Sequence, residues 1–179
     1  MGFKNLPILI LCYNKLVSLK AIITILKKLK FQKIYISVDG PFSKDDKRNL
    51  SVLKYINQLK KETNYKFKIN NYNKGCKLAV SEGISWFFQK EAKGVILEED
   101  CIPSKSFFKF TYLLLNRFKN KKNIGQISGT NPILNYKTDK SYFFSNYGGI
   151  WGWATWRDRW EKYDIDMESW NKYNKFNLY

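Results

Sequence analysis

The stretch Gly94-Val95-Ile96-Leu97-Glu98-Glu99-Asp100-Cys101 runs from strand-forming apolar residues directly into three adjacent carboxylates. A buried strand that delivers acids to its C-terminal end is one way in which α/β proteins place a divalent cation beside a bound nucleotide. Adjacent carboxylates repel one another, and a cation relieves that repulsion. Side chains alternate along an extended chain, so Glu98 and Asp100 are expected on one side and Glu99 on the other. That arrangement suits Asp100 as a metal ligand, and Glu98 or Glu99 as an acceptor for sugar or ribose hydroxyls. A solvated acidic loop would have the same composition.

Three other segments carry chemistry of their own. Asp39-Gly40-Pro41 follows an apolar run; its aspartate could accept a hydrogen bond from a base N–H, or simply form an Asp-Gly turn. Asn73-Lys74-Gly75-Cys76-Lys77 precedes a helical pattern, where backbone amides and two lysines could face a diphosphate. It lacks the glycine spacing of a Walker loop or a dinucleotide fingerprint. The segment from Tyr147 to Arg157 holds three of the six tryptophans, interrupted by glycines. It suits either an aromatic platform for a sugar ring or a core segment docked on a sheet.

The chain contains no histidine. Ser-His-Asp and Cys-His catalysis, histidine-ligated zinc and histidine general bases are therefore excluded. Cys12, Cys76 and Cys101 have no paired spacing, which argues against a disulfide scaffold or a zinc site. The net charge is +17, but the cations are 28 Lys and only 4 Arg, scattered alongside 17 Asn. Arg is the usual choice for bidentate phosphate and base recognition, so specific nucleic-acid binding is not expected. Attraction to anionic lipid headgroups fits better, and implies peripheral association with the inner face of a membrane. No apolar run reaches the length of a membrane span, and the first residues lack a signal-peptide pattern, so the expected location is cytoplasmic.

The elements that must position these residues alternate in type. Leu6 to Tyr13, Lys33 to Val38, Tyr65 to Ile69, Lys93 to Leu97 and Ile124 to Ser128 read as strands. Leu19, Ile22, Ile23, Leu26 and Leu29 mark a first helix. A second runs from about Ser43 to Lys61 with Leu50, Leu53, Ile56 and Leu59 as its apolar stripe. A third carries Ala79, Val80, Gly83, Ile84, Phe87 and Phe88, and a fourth opens at Pro103-Ser104. This order predicts βαβ units, an α/β fold and a mostly parallel sheet, with residues 1–179 as one domain. Asp39, the Asn73 loop and Glu98 to Asp100 all fall at predicted C-terminal strand ends, so they should share one rim.

Taken in order, these landmarks resemble the GT-A-fold glycosyltransferases, most closely a bacterial family-2-like group of nucleotide-diphospho-sugar transferases and more distantly N-acetylglucosaminyltransferase I. The matching stretches are Pro7 to Asn14, Ile36 to Pro41, Asn73 to Lys77, Ala79 to Ile84, Ile96 to Ser104 and Trp151 to Trp156. The resemblance implies a Rossmann-like three-layer αβα sandwich. It also implies an inverting, metal-dependent transfer of sugar from a nucleotide donor, with UDP expected, to a glycan or lipid-linked acceptor. Asp100 would bind Mn²⁺ or Mg²⁺, Glu98 and Glu99 would contact sugar and ribose, and Asp39 the base. Tyr13 and Asn14 would line the base pocket, Lys77 would neighbour the diphosphate, and Trp153 would belong to the donor site. Two departures stand out: Glu99 replaces the usual aspartate of a Glu-Asp-Asp pattern, and Lys15 stands where Arg is common. The resemblance also implies a downstream Trp-Asp segment supplying the catalytic base, which these residues do not include. The chain therefore also fits a nucleotide-sugar-binding domain with little transferase activity, and its charge also fits a basic membrane-surface or nucleic-acid module.

Overall fold

A computed structural model describes residues 2–131 and 139–168, so the end of the 1–179 span lies outside the described residues. After a 3-10 turn at Gly2–Asn5 come β1 (Ile8–Cys12), α1 (Leu16–Leu29), β2 (Ile34–Val38), α2 (Lys47–Glu62), β3 (Lys66–Ile69) and α3 (Gly75–Phe88). They are followed by β4 (Lys93–Glu98), α4 (Lys105–Arg117), β5 (Ile127–Ser128), β6 (Trp153–Trp156) and α5 (Arg157–Trp160). The fold is α/β, with a six-stranded, mostly parallel mixed sheet in the order β3-β2-β1-β4-β6-β5.

β1 is apolar throughout because it is covered on both faces. Ile8, Ile10 and Cys12 point into a cluster completed by α1, α2 and α4. Leu9 and Leu11 point the other way, onto Ile84, Phe87 and Phe88 of α3. Each such side chain contributes about 1.5–3 kcal/mol on burial. Helices therefore cover both faces, giving three layers.

Two elements differ from the sequence expectation. The expected stripe of α2 holds for Ile56 and Leu59, which are buried, and Leu53, which packs on the core; Leu50 is exposed instead, and Asn49 and Val52 complete the buried face. Asp46 caps the helix by accepting the Asn49 amide at 3.1 Å. The Trp-rich segment is a strand. Trp153–Trp156 lies antiparallel between β4 and the two-residue β5, with Ile96 opposite Trp153. Its residues are buried on both faces, as befits a strand inside the sheet rather than at its edge.

The chain builds outward from β1 to β2 and β3, then crosses to place β4 on the other side of β1. Strand order reverses there, and a crevice opens at the C-terminal ends of β1 and β4. Among the described residues, no helix is long and apolar enough to cross a membrane.

One close approach shapes this rim. A Cβ on Gly40 would sit 2.5 Å from the backbone of Tyr72, so the loops after β2 and β3 touch only because residue 40 is glycine. Gly40→Ala is expected to cost about 1–3 kcal/mol by forcing those loops apart. A lower urea midpoint with an unchanged slope would register this loss; an unaltered midpoint would contradict the contact.

Candidate functional site

At the switch point lies a cleft of about 350 Å³. Its walls come from the ends of β1, β2 and β4, the loop before α3 and the first turns of α3. Tyr13, Lys15, Asp39, Asn73, Gly75, Cys76 and the acidic triplet all line it. The rim expected from strand ends is therefore present, and the acids, the aspartate of β2 and the Asn73 loop meet in one place.

The three acids behave differently. β4 ends at Glu98, and the chain turns at Glu99 and Asp100. Glu99 is 7% exposed and turns inward. Its carboxylate accepts the backbone amides of Tyr13 at 2.9 Å and Asn14 at 3.0 Å. Both oxygens thus brace the loop after β1, so Glu99 positions the cleft rather than standing free for a ribose hydroxyl. Asp100 faces solvent and forms an ion pair with Lys15. The Lys15 ammonium holds the Asp100 carboxyl below the ordinary range. Glu98 lines the cleft, and its carboxylate accepts no hydrogen bond among the described residues. Burial pushes its pKa up, and the charge of Asp100 adds to the shift. Glu98 is therefore the open acceptor of the triplet.

Asp39 is buried at 6% exposure, and protein donors engage its carboxylate. It accepts the backbone amides of Gly40, Lys74 and Gly75 and the side-chain amide of Asn70, at 3.0–3.2 Å. Asp39 thus fastens the loop before α3, and its carboxylate is not free for a base in this arrangement. Gly75 makes the turn into α3 at φ 76°, in the left-handed region that glycine tolerates.

Tyr13 donates its hydroxyl to Asp46 at 2.8 Å, which holds the Asp46 carboxyl low. With its folded pKa depressed, this contact stabilises the fold above the ordinary Asp range and is lost as pH falls through the depressed value. Three expected site residues do not line the cleft. Asn14 is set beside it, where its backbone amide donates to Glu99. Lys77 points out of the cleft and pairs with Asp166 at 2.8 Å. Trp153 is a core residue, packed with Leu9, Leu11 and Ile96 beneath α3, because its strand places it inside the sheet.

Asn49 was not singled out by the sequence reading, yet it joins the cleft loops. Fully buried, it donates to the carbonyls of Tyr13 at 2.8 Å and Asp39 at 2.9 Å. Its signal is the spacing Asn49, Val52, Ile56, Leu59, which matches a buried helical face with a polar residue at its start.

Among the described residues, no three His, Cys, Asp or Glu side chains converge on a common metal position. The chain offers Asp100 and Glu98, and Lys15 already brings a positive charge to that point. This donor set suits a cation whose remaining coordination comes from ligand oxygens and water, as for Mg²⁺ shared between one or two carboxylates and phosphates.

No family model and no curated protein matches the chain. The functional reading therefore rests on the cleft.

Glu99→Gln keeps the side-chain length but turns an NH₂ group toward one of the two amides it now accepts. Loss of a charged acceptor for a buried N–H is expected to cost about 1.5–3 kcal/mol. Denaturant titration measures this directly, with Glu98→Gln as a near-neutral comparison; equal stability of the two variants would contradict the brace.

Proposed function

We propose that the chain is the donor-binding domain of a metal-dependent glycosyltransferase of GT-A type, using a nucleotide-diphospho-sugar with UDP as the expected nucleotide. The observation that carries this reading is the coincidence of three features in one cleft. It lies at the switch point of a parallel sheet, its mouth carries Asp100 and an unengaged Glu98, and the start of α3 forms its opposite wall. A nucleotide diphosphate needs these parts: a crevice for the nucleoside, helix-end amides near the phosphates, and carboxylates for the counter-ion.

In this reading Asp100 holds Mn²⁺ or Mg²⁺, and the cation neutralises the departing diphosphate. Lys15, already at the cleft, takes the diphosphate-neighbour role first given to Lys77. Glu98 accepts a sugar or ribose hydroxyl. Tyr13 contributes an aromatic wall for the base, while Glu99, Asp39 and Asn49 fix the loops. The acceptor is a glycan or a lipid-linked glycan, whose hydroxyl attacks the anomeric carbon with inversion.

A second reading, donor binding without efficient transfer, is favoured by where the late acids sit. Asp158 is tied to Lys122 and Arg159 at the far end of the sheet, and Asp166 is paired with Lys77. Neither lines the cleft. Release of free sugar or glycosylated acceptor from a UDP-sugar by the chain would favour the transferase.

Calorimetric titration of UDP with and without Mn²⁺ tests the donor site. Metal-dependent micromolar binding is expected, and Asp100→Asn should weaken it roughly 30-fold, equivalent to about 2 kcal/mol for a charged contact. Unchanged affinity in that variant would sink the metal assignment, and preference for GDP would sink the choice of base.

A further inference from the structure

The net charge of +17 is not spread evenly over the molecule. In a parallel sheet, loops that follow strands lie at one end and loops that precede them lie at the other. The loops at the cleft end, residues 13–15, 39–46, 70–74 and 99–104, hold three cations and five carboxylates. Those at the opposite end, residues 30–33, 63–65, 89–92 and 118–126, hold six cations and one carboxylate, Glu91; Lys33 pairs with Glu91, and Lys122 with Asp158, which follows β6 at the same end. Helix ends carry cations on both sides: Lys27, Lys28, Lys60, Lys61 and Arg117, with Glu62, close helices at this end, while Lys47, Arg48, Lys77 and Lys105 open them at the cleft end, so the asymmetry lies in the loops. Cations in a last turn are expected from the helix dipole. The loop cations are not, and a uniform lysine bias would have loaded both ends alike.

Backbone contacts tie this end together. Gln32 donates to the Lys4 carbonyl and Val95 to that of Pro7, while Arg159 bonds the carbonyls of Phe118, Lys119 and Lys121. Most of the loop lysines are exposed. Beside them Phe118 packs edge-on against Tyr142 and Phe144, and Phe144 is 66% exposed. Exposed aromatic rings next to lysines suit the headgroup layer of a bilayer.

We infer that this end of the molecule, opposite the cleft, docks on an anionic lipid surface. Lysine point charges attract a diffuse negative surface without needing the bidentate geometry that arginine provides for phosphates and bases. The arginines at this end are committed elsewhere: Arg157 and Arg159 to backbone carbonyls, and Arg117 over the rings of Phe118 and Tyr142. Docked this way, the cleft opens away from the bilayer. A molecule of this size is roughly 40 Å across, so an acceptor anchored in the same membrane must reach that far. The inference stands on charge placement and does not require the cleft to bind a nucleotide sugar.

Co-sedimentation with phosphatidylcholine vesicles, with and without phosphatidylglycerol, tests it using two variants of equal net charge. One carries Lys28→Gln, Lys119→Gln and Lys121→Gln at the basic end; the other carries Lys44→Gln, Lys47→Gln and Lys105→Gln on the cleft side. The unaltered chain should bind only the anionic vesicles and release as salt shortens the Debye length from about 10 Å to about 3 Å. At about fivefold per lysine, the first variant should lose roughly 100-fold in affinity, while the second stays within a few-fold. Equal losses in both variants would overturn the inference, as would no binding to anionic vesicles at low salt. Tighter binding to a random RNA oligonucleotide than to those vesicles at the same salt would assign the surface to nucleic acid instead.

Discussion

The cleft depends on one buried carboxylate. Glu99 sits where β4 ends and accepts the two amides with which the chain leaves β1. Those strands are neighbours in the sheet but belong to segments more than eighty residues apart. Without that brace the two sides of the switch point would meet only through strand pairing, which ends before the rim, and the exposed Lys15–Asp100 pair. With it, Tyr13 is held against Asp46, Asn49 can reach the Tyr13 and Asp39 carbonyls, and Lys15 stands across from Asp100. Asp39 does the same work on the other wall, fastening the start of α3. Two acids of the rim are therefore fixed by backbone donors, and two, Glu98 and Asp100, remain at the mouth.

That division explains how a strongly basic protein can carry an acidic site. Six carboxylates, Asp39, Asp45, Asp46 and Glu98 to Asp100, stand at or just beyond the C-terminal strand ends, while the loops at the other end are mainly basic. Lys15, one of three cations in the cleft-end loops, balances charge that would otherwise be repulsive. A cation arriving with a ligand would meet carboxylates already arranged around a positive charge.

Much of the fold was legible in the sequence for simple reasons. β1, β2 and β4 are continuous apolar runs because both of their faces are covered, and the helices between them show clear apolar spacing. The edge of the sheet was harder. β5 has two residues, and β6 is written in tryptophan, alanine and threonine, so only pairing with β4 identifies it as a strand. The residues of the rim were legible as a group because strand ends converge in any parallel sheet. Their separate jobs were not. Whether Glu99 or Asp39 is free or engaged depends on backbone amides 85 and 35 residues away, which carry no side-chain signature. Lys77 and Trp153 were misplaced for related reasons: one turned outward on its helix to meet Asp166, and the other was carried into the core by an unrecognised strand.

The most direct test of the account is amide NMR of the isotopically labelled chain on addition of UDP with Mg²⁺. The cleft reading requires the largest shifts at Tyr13, Asn14 and Lys15, at Gly40, at Lys74 to Cys76, and at Glu98 to Cys101. A wider groove of about 1640 Å³ runs between α4 and residues 140–149, and its described lining holds no carboxylate. Shifts confined to that groove, or none anywhere at millimolar nucleotide, would contradict the account.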